Sequence, residues 1–173
     1  LDNGSIVCWG ADDQGQLGNG GLSTSDQSSP SIAVDLGVGR TAVTVTAGRD
    51  HVCALLDDGS VKCWGDDLEG QLGAGLNGNT NYNGFGYDSD VPTPVLLPTG
   101  RTAIAVEANY RHTCALLDDG SLTCWGSDWR GELGNGGSNT AIDYPSTNPI
   151  DLGTGRTAVA VSLGRAHTCA ILD

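Results

Sequence analysis

The stretch HVCALLDDGSVKCWG at 51–65 returns as HTCALLDDGSLTCWG at 112–126. A third copy is present in two pieces: HTCAILD (167–173) closes the chain and LDNGSIVCWG (1–10) opens it. A repeated unit cannot bury its apolar face alone and must stack on its neighbours, so repetition narrows the fold before any other property does. The unit starts at Leu1, Leu56 and Leu117, and its next start falls on Leu172, which sets spacings of 55, 61 and 55 residues. The units are therefore 1–55, 56–116 and 117–171, with 172–173 beginning another.

Every unit runs in the same order. A turn (LDNG or LDDG) leads into a Cys-Trp-Gly strand, then a glycine loop: DDQGQLGNG (12–20), DLEGQLGAG (67–75) or DWRGELGNG (128–136). A variable polar stretch reaches a Pro-led strand such as PSIAVDLG (30–37), and the unit closes with a Gly-Arg-Thr-Ala strand and a His-x-Cys-Ala strand. These are four short β segments separated by Gly, Pro and Asp turns, with no helical periodicity. The expected fold is all-β: a β-propeller of four-stranded blades, three repeat units long, with one blade split between the two termini. A β-solenoid is the structural competitor, but its repeats are usually shorter.

The central hairpin can be read residue by residue. With Asp57-Asp58-Gly59 as a three-residue loop, Gly59 takes the left-handed position of a type I turn with a G1 bulge. Counting outward pairs Leu55 with Val61 and Cys53 with Cys63, and Cys114 with Cys124 in the next copy. Cys53, Leu55, Val61 and Cys63 then share one face, while Ala54, Leu56 and Trp64 share the other. A strand pair apolar on both faces must be sandwiched between neighbours.

The six cysteines lack short zinc spacings, and Cys53–Cys63 and Cys114–Cys124 read as disulfides within hairpins, leaving Cys8 and Cys169, one near each end. Disulfides imply a secreted or cell-surface protein. Eight Lys and Arg stand against 21 Asp and Glu, a formal charge of −13, which disfavours nucleic acids and anionic membranes as partners. No stretch approaches the roughly 20 apolar residues of a membrane span. Without an initiator Met or a signal-type leader, the sequence reads as a mature or excised product.

The motif H-x-C-A-L-L-D-D-G-S-x-x-C-W-G followed by G-Q-L-G-x-G resembles the repeat of the regulator of chromosome condensation family, especially its bacterial, α-tubulin-suppressor-like members. The resemblance covers the whole chain. It implies a propeller, commonly of seven blades, used as a protein-binding platform. The eukaryotic namesake of the family is a nucleotide-exchange factor that docks on chromatin; this acidic, cysteine-bearing chain departs from that setting, and the activity is not carried over. A bacterial relative of the architecture inhibits β-lactamases by covering their active site.

Residues 1–10 and 167–173 are complementary halves of one hairpin. Three blades are too few for a closed ring, so the halves are expected to meet between copies, with Cys169 bridged to Cys8 of a neighbour. A closed dimer, an open head-to-tail filament and a longer parent chain with further repeats all satisfy this pairing.

Among the polar residues, His51, His112 and His167 recur at one position and read as structural hydrogen-bonding groups, and Arg40, Arg101 and Arg156 as holders of turns. Trp9, Trp64 and Trp125 are expected between blades. Trp129, in the third glycine loop, and Tyr82, Phe85 and Tyr87, in the loop that lengthens unit two, are candidate partner contacts. Asp12, Asp13, Asp66, Asp67, Glu69, Asp88 and Asp90 follow no calcium-loop pattern and read as solvated turn residues. Asn3-Gly4-Ser5 is a glycosylation sequon lodged in a tight turn. No catalytic, cofactor or metal residues are assigned. The expected function is a non-catalytic secreted scaffold that binds a protein partner, or the subunit of an extracellular assembly; the alternative is an enzyme, a lyase or hydrolase, with a pocket at the propeller axis.

Overall fold

The structure is a computed structural model that describes residues 3–20, 26–30, 32–75, 88–137 and 141–173. Strands β1 (Ala42–Ala47), β2 (His51–Leu56), β3 (Val61–Gly65) and β4 (Ser89–Pro94) form an antiparallel sheet in that order. Strands β5 (Ala103–Asn109), β6 (His112–Leu117) and β7 (Leu122–Gly126) form a second, and β8 (Ala158–Gly164) and β9 (His167–Leu172) a third. Before β1, the segment around Val7 pairs with Ala33 and Gly10 pairs with Gln27. No described residue is helical.

A blade thus begins with the Gly-Arg-Thr-Ala strand, continues through the His-x-Cys-Ala and Cys-Trp-Gly strands and ends on the Pro-led segment. The first sheet has all four strands. In the second, the described residues of the fourth segment lie beside β7 through a Gly126–Ile142 bridge and the Ile150 N–H donating to the Leu122 carbonyl at 2.9 Å. The described residues between 3 and 36 supply the Cys-Trp-Gly and Pro-led segments of one further blade, and β8–β9 the first two strands of another.

The hairpin register follows from its turn. Leu55 opposes Val61 and Cys53 opposes Cys63, with Gly59 at φ 77°. Cys53 is bonded to Cys63 and Cys114 to Cys124. The two faces of β2–β3 enter different cores, which is why all six residues of β2 are buried. Cys53, Leu55, Val61 and Cys63 pack with Ala103, Val106, Leu117 and Trp125 of the following blade. Val52, Ala54, Leu56 and Trp64 pack with Ile6, Val34 and Leu36 of the preceding one. Another core joins Cys114, Leu116, Leu122 and Leu133 to Ala158 of β8.

Successive sheets stand side by side, β5 against β1 and β2, and β8 against β5 and β6. The first strands of the blades are stitched directly: the Ala108 N–H donates to Thr46 Oγ1 at 3.0 Å, and Asn109 Nδ2 to the Leu163 carbonyl at 2.8 Å. Each of these strands is interrupted at the same place, between Ala42 and Thr44, Ala103 and Ala105, and Ala158 and Ala160. The extra residue in each case is β-branched and exposed: Val43, Ile104 and Val159. A bulge turns it out of the ladder.

Candidate functional site

The joints between blades are built from groups that recur along the repeat. In the glycine loop a buried carboxylate oxygen receives a backbone N–H five residues on: Asp12 from Leu17 (3.0 Å), Asp67 from Leu72 (2.9 Å) and Asp128 from Leu133 (3.1 Å). That closure aims one loop carbonyl at the following blade. The Gln16 carbonyl accepts Trp64 Nε1–H at 3.0 Å, and the Gln71 carbonyl accepts Trp125 Nε1–H at 2.9 Å. The Gln71 carbonyl also accepts Thr113 Oγ1–H at 3.0 Å. Since Thr113 spends its proton there, its oxygen accepts from His51 Nε2, 3.0 Å away, which fixes the tautomer of His51. The indole rests where a glycine leaves room: a Cβ on Gly18 would lie 2.6 Å from Trp64 Nε1, and one on Gly73 2.5 Å from Trp125 Nε1.

The same joint forms once more, in part. His112 Nε2 is 3.2 Å from Thr168 Oγ1, and Thr168 donates to the Glu132 carbonyl at 2.7 Å. No indole lies against Gly134, whose Cβ would meet only Ile150 at 3.5 Å. A cleft of about 140 Å³ lined by Leu122, Leu133, Gly134, Ile150 and Ala170 occupies that place. β9 is open along the edge that β2 and β6 give to a Cys-Trp-Gly strand, and Ile171 is 64% exposed there.

The repeat-equivalent Cys-Trp-Gly segment lies near the start of the described chain. Trp9 is 60% exposed, correcting the expectation that it packs between blades as fully buried Trp64 and Trp125 do. Alongside it is an apolar cleft of about 390 Å³ lined by Ile6, Cys8, Trp9, Val45 and Val52. This is the side on which β3 and β7 pair with their His-x-Cys-Ala strands. Cys8, half-buried, and Cys169, exposed, are both free thiols. Burial, with the Asp12 carboxylate nearby, pushes the Cys8 thiol above its ordinary range.

Trp129 is exposed and its indole N–H donates to Glu69 Oε2 at 3.2 Å. Tyr82, Phe85 and Tyr87 lie outside the described residues. His51 and His112 are buried and hydrogen-bonded, whereas His167 is exposed. Burial and the neighbouring His112 depress the His51 pKa to about 3, so the ring is neutral throughout the physiological range. Arg40 pairs with Asp57 and Asp58, and Arg101 with Asp118 and Asp119, across the two ends of each inner hairpin; Arg156 donates to the Asp173 carbonyl.

Asp12, Asp66 and Asp67 are buried, not solvated as their turn-rich sequence suggests, because their carboxylates close the loops from inside. Burial, with Asp66, Asp143 and Asp88 nearby, raises the Asp67 pKa to about 7. Sequence reasoning missed a group of arginines around Tyr110. Its signal was present at the position two before each repeated histidine, which reads Arg49, Tyr110 and Arg165.

Comparison with known proteins agrees with this architecture. The family described as "Regulator of chromosome condensation (RCC1) repeat" matches residues 3–55 and 58–116, and a second model of the same description matches 42–71 and 103–131. The human E3 ubiquitin-protein ligase HERC2 is 30% identical over 171 residues, which is 98% of this chain and 3% of that protein. Protein pim1 of Schizosaccharomyces pombe is 28% identical over 155 residues, 84% of this chain and 28% of its own length. Yeast RCC1 (Prp20), solved bound to Kap60, superposes with a TM-score of 0.82 at 19% identity, over 95% of this chain and 37% of that one. The chain therefore spans well under half of each of these proteins. The fold they share with it is the β-propeller.

Proposed function

We propose, because the chain belongs to the regulator of chromosome condensation (RCC1) repeat family, that it serves as a non-catalytic propeller scaffold for binding proteins. Its half-blades are completed by strand exchange with another copy of itself or with a further repeat of a longer parent. In this reading a Cys-Trp-Gly strand of the Ile6–Gly10 kind pairs with β9. The register of β2 with β3 sets the partners: Cys169 opposite Cys8, Thr168 opposite Trp9 and Ile171 opposite Ile6. The two cysteines then stand as Cys53 and Cys63 do and form a bridge.

The observation that carries the reading is the partly formed joint at Glu132. His112 and Thr168 are already in the positions that His51 and Thr113 hold beside Trp125, and Gly134 leaves the space that Gly73 leaves for that indole. The exposed Trp9 is the matching group. An open β edge beside an exposed apolar strand recruits another strand unless it is blocked. The covalent tie inside each central hairpin supports an oxidising, extracellular setting. The engagement of His51, His112, Thr113 and Thr168 in the joints favours the scaffold reading over the enzyme alternative.

Sedimentation of the chain over a range of concentrations tests the reading. Species heavier than one chain are expected, and Trp9→Ala is expected to return them to a single chain's mass. A wild-type chain that sediments as a monomer at every concentration would overturn exchange between copies, leaving the scaffold reading and completion by a further repeat intact.

A further inference from the structure

Half of the chain's cations gather at one end of the blades. The sequence has eight Lys and Arg in all. Arg49, Arg111 and Arg165 place their guanidinium carbons 5.5, 6.0 and 4.6 Å from the centroid of the Tyr110 ring. Arg49 and Arg165 also reach the Tyr110 hydroxyl, each at 3.4 Å. Arg130 is the fourth member, lining with Tyr110, Arg111, Trp129 and Arg165 a cleft of about 630 Å³.

The turn beneath the cluster is held in an uncommon conformation. Tyr110 has φ 41°, a left-handed value that a bulky side chain rarely adopts. Its carbonyl accepts the Arg49 N–H at 3.0 Å, which ties the turn to the preceding blade. Left-handed residues of this kind persist where the surroundings enforce them and concentrate at binding sites. Nothing in the hairpin demands this choice, since the equivalent turns carry Arg49 and Arg165 without a positive φ.

The acids near the cluster are already engaged. Arg49 Nε lies 3.1 Å from Asp50 Oδ2, and Arg111 Nη1 lies 3.4 Å from Glu69 Oε1. The second oxygen of Glu69 takes the Trp129 indole N–H at 3.2 Å. Glu132 receives Ser127 Oγ–H at 3.0 Å and the Arg130 backbone N–H at 2.6 Å. Arg130 and Arg165 are left without an acidic partner among the described residues, and both line the cleft together with the exposed Trp129.

We infer that this cleft is the docking site for an acidic peptide segment of a partner protein, whose carboxylates are taken by Arg130 and Arg165 and whose apolar side chains lie on Trp129. Guanidinium forks match carboxylates in geometry, and Trp, Tyr and Arg are the residues that dominate protein interfaces. A body with a formal charge of −13 repels a long polyanion, so a short acidic segment fits the local patch where a nucleic acid does not. The inference rests on the scaffold reading but not on strand exchange, because the groups that would hold the peptide, Trp129, Arg130 and Arg165, make no contact in the Trp9–Gly134 joint; Glu132 enters that joint only through its backbone carbonyl.

The test is fluorescence anisotropy with a short labelled peptide of alternating Glu and Leu, its Gln-Leu counterpart and a labelled DNA duplex. The full chain and its Gly134→Ala variant are measured in parallel, which separates this site from association. The Glu peptide is expected to bind both chains at least about tenfold more tightly than the Gln peptide. Arg130→Gln with Arg165→Gln, both at exposed positions, is expected to remove about tenfold or more, Trp129→Ala to weaken binding, and Arg101→Gln to leave it unchanged. Equal binding of the Glu and Gln peptides, indifference to the paired arginine substitution, or tighter binding of the duplex than of the Glu peptide would each overturn the inference.

Discussion

The indole N–H of Trp125 donates to the backbone carbonyl of Gln71 at 2.9 Å, across the joint between two blades. The indole fits because residue 73 has no side chain. Gly73→Ala puts a methyl 2.5 Å from Trp125 Nε1 at φ 70°, and Gly18→Ala repeats the clash with Trp64 at 2.6 Å. Each is expected to destabilise the chain by about 3 kcal/mol in urea unfolding, from displaced packing plus backbone strain. Gly134→Ala, with only Ile150 nearby, is expected to cost about 1 kcal/mol, the backbone term alone, yet to abolish association of the half-blades.

The disulfides give a second expectation. Cys53 and Cys63 close a short loop inside one hairpin, and both are wholly buried. Replacing both with Ala is expected to cost about 2–3 kcal/mol in the equilibrium unfolding of the oxidised protein. The β2–β3 register should survive, since the turn at Gly59 and the apolar faces set it independently; amide exchange protection in β2 reports this directly.

A third expectation concerns acid. The His51 pKa is held at about 3 by burial and by His112, while an unfolded histidine titrates near 6.5. Below about pH 6.5 the unfolded chain therefore takes a proton that the folded chain refuses, and stability falls as pH drops toward about 3. His51→Gln, which retains a donor for Thr113, is expected to remove roughly 1 kcal/mol of that loss per pH unit, read as a flatter stability-versus-pH curve on the acid side.

Asp67 works in the opposite sense. Its pKa is raised to about 7, chiefly by burial and further by Asp66, Asp143 and Asp88, against about 3.9 in an unfolded chain. The folded state then holds the extra proton. Its contribution is present below about pH 4 and is lost as pH rises through about 7. Asp67→Asn keeps an oxygen for the Leu72 N–H and removes the charge, so it is expected to stabilise the chain by about 2 kcal/mol near pH 8 and by nearly nothing near pH 4. Thermal unfolding at the two pH values checks both halves of this statement.

The hairpin was legible in the sequence because its determinants are local. Three turn residues ending in Gly59 set the rungs, and period-two alternation assigned Cys53 and Leu55 to one face and Ala54 and Leu56 to the other, as the two separate cores show. Trp9 is exposed because no His-x-Cys-Ala strand pairs with its segment among the described residues, a property that equivalence to Trp64 does not carry. Asp12 and Asp67 were misread because their acceptor role is satisfied by an N–H five residues away, inside a loop whose closure is tertiary. The Tyr110 cluster was overlooked for a related reason: Arg49, Tyr110 and Arg165 hold equivalent places in the repeat but meet only when three blades stand side by side.

The account turns on whether β9 and the Ile6–Gly10 strand find one another. Disulfide mapping by mass spectrometry on the chain equilibrated in a glutathione redox buffer is the direct measurement, with pH raised to offset the elevated Cys8 pKa. The account predicts a peptide pair linked through Cys8 and Cys169, depleted in Trp9→Ala and Gly134→Ala, with Cys53–Cys63 and Cys114–Cys124 unchanged. Recovery of Cys8 and Cys169 as unlinked thiols or glutathione adducts, under conditions where the other two bridges form, would contradict it.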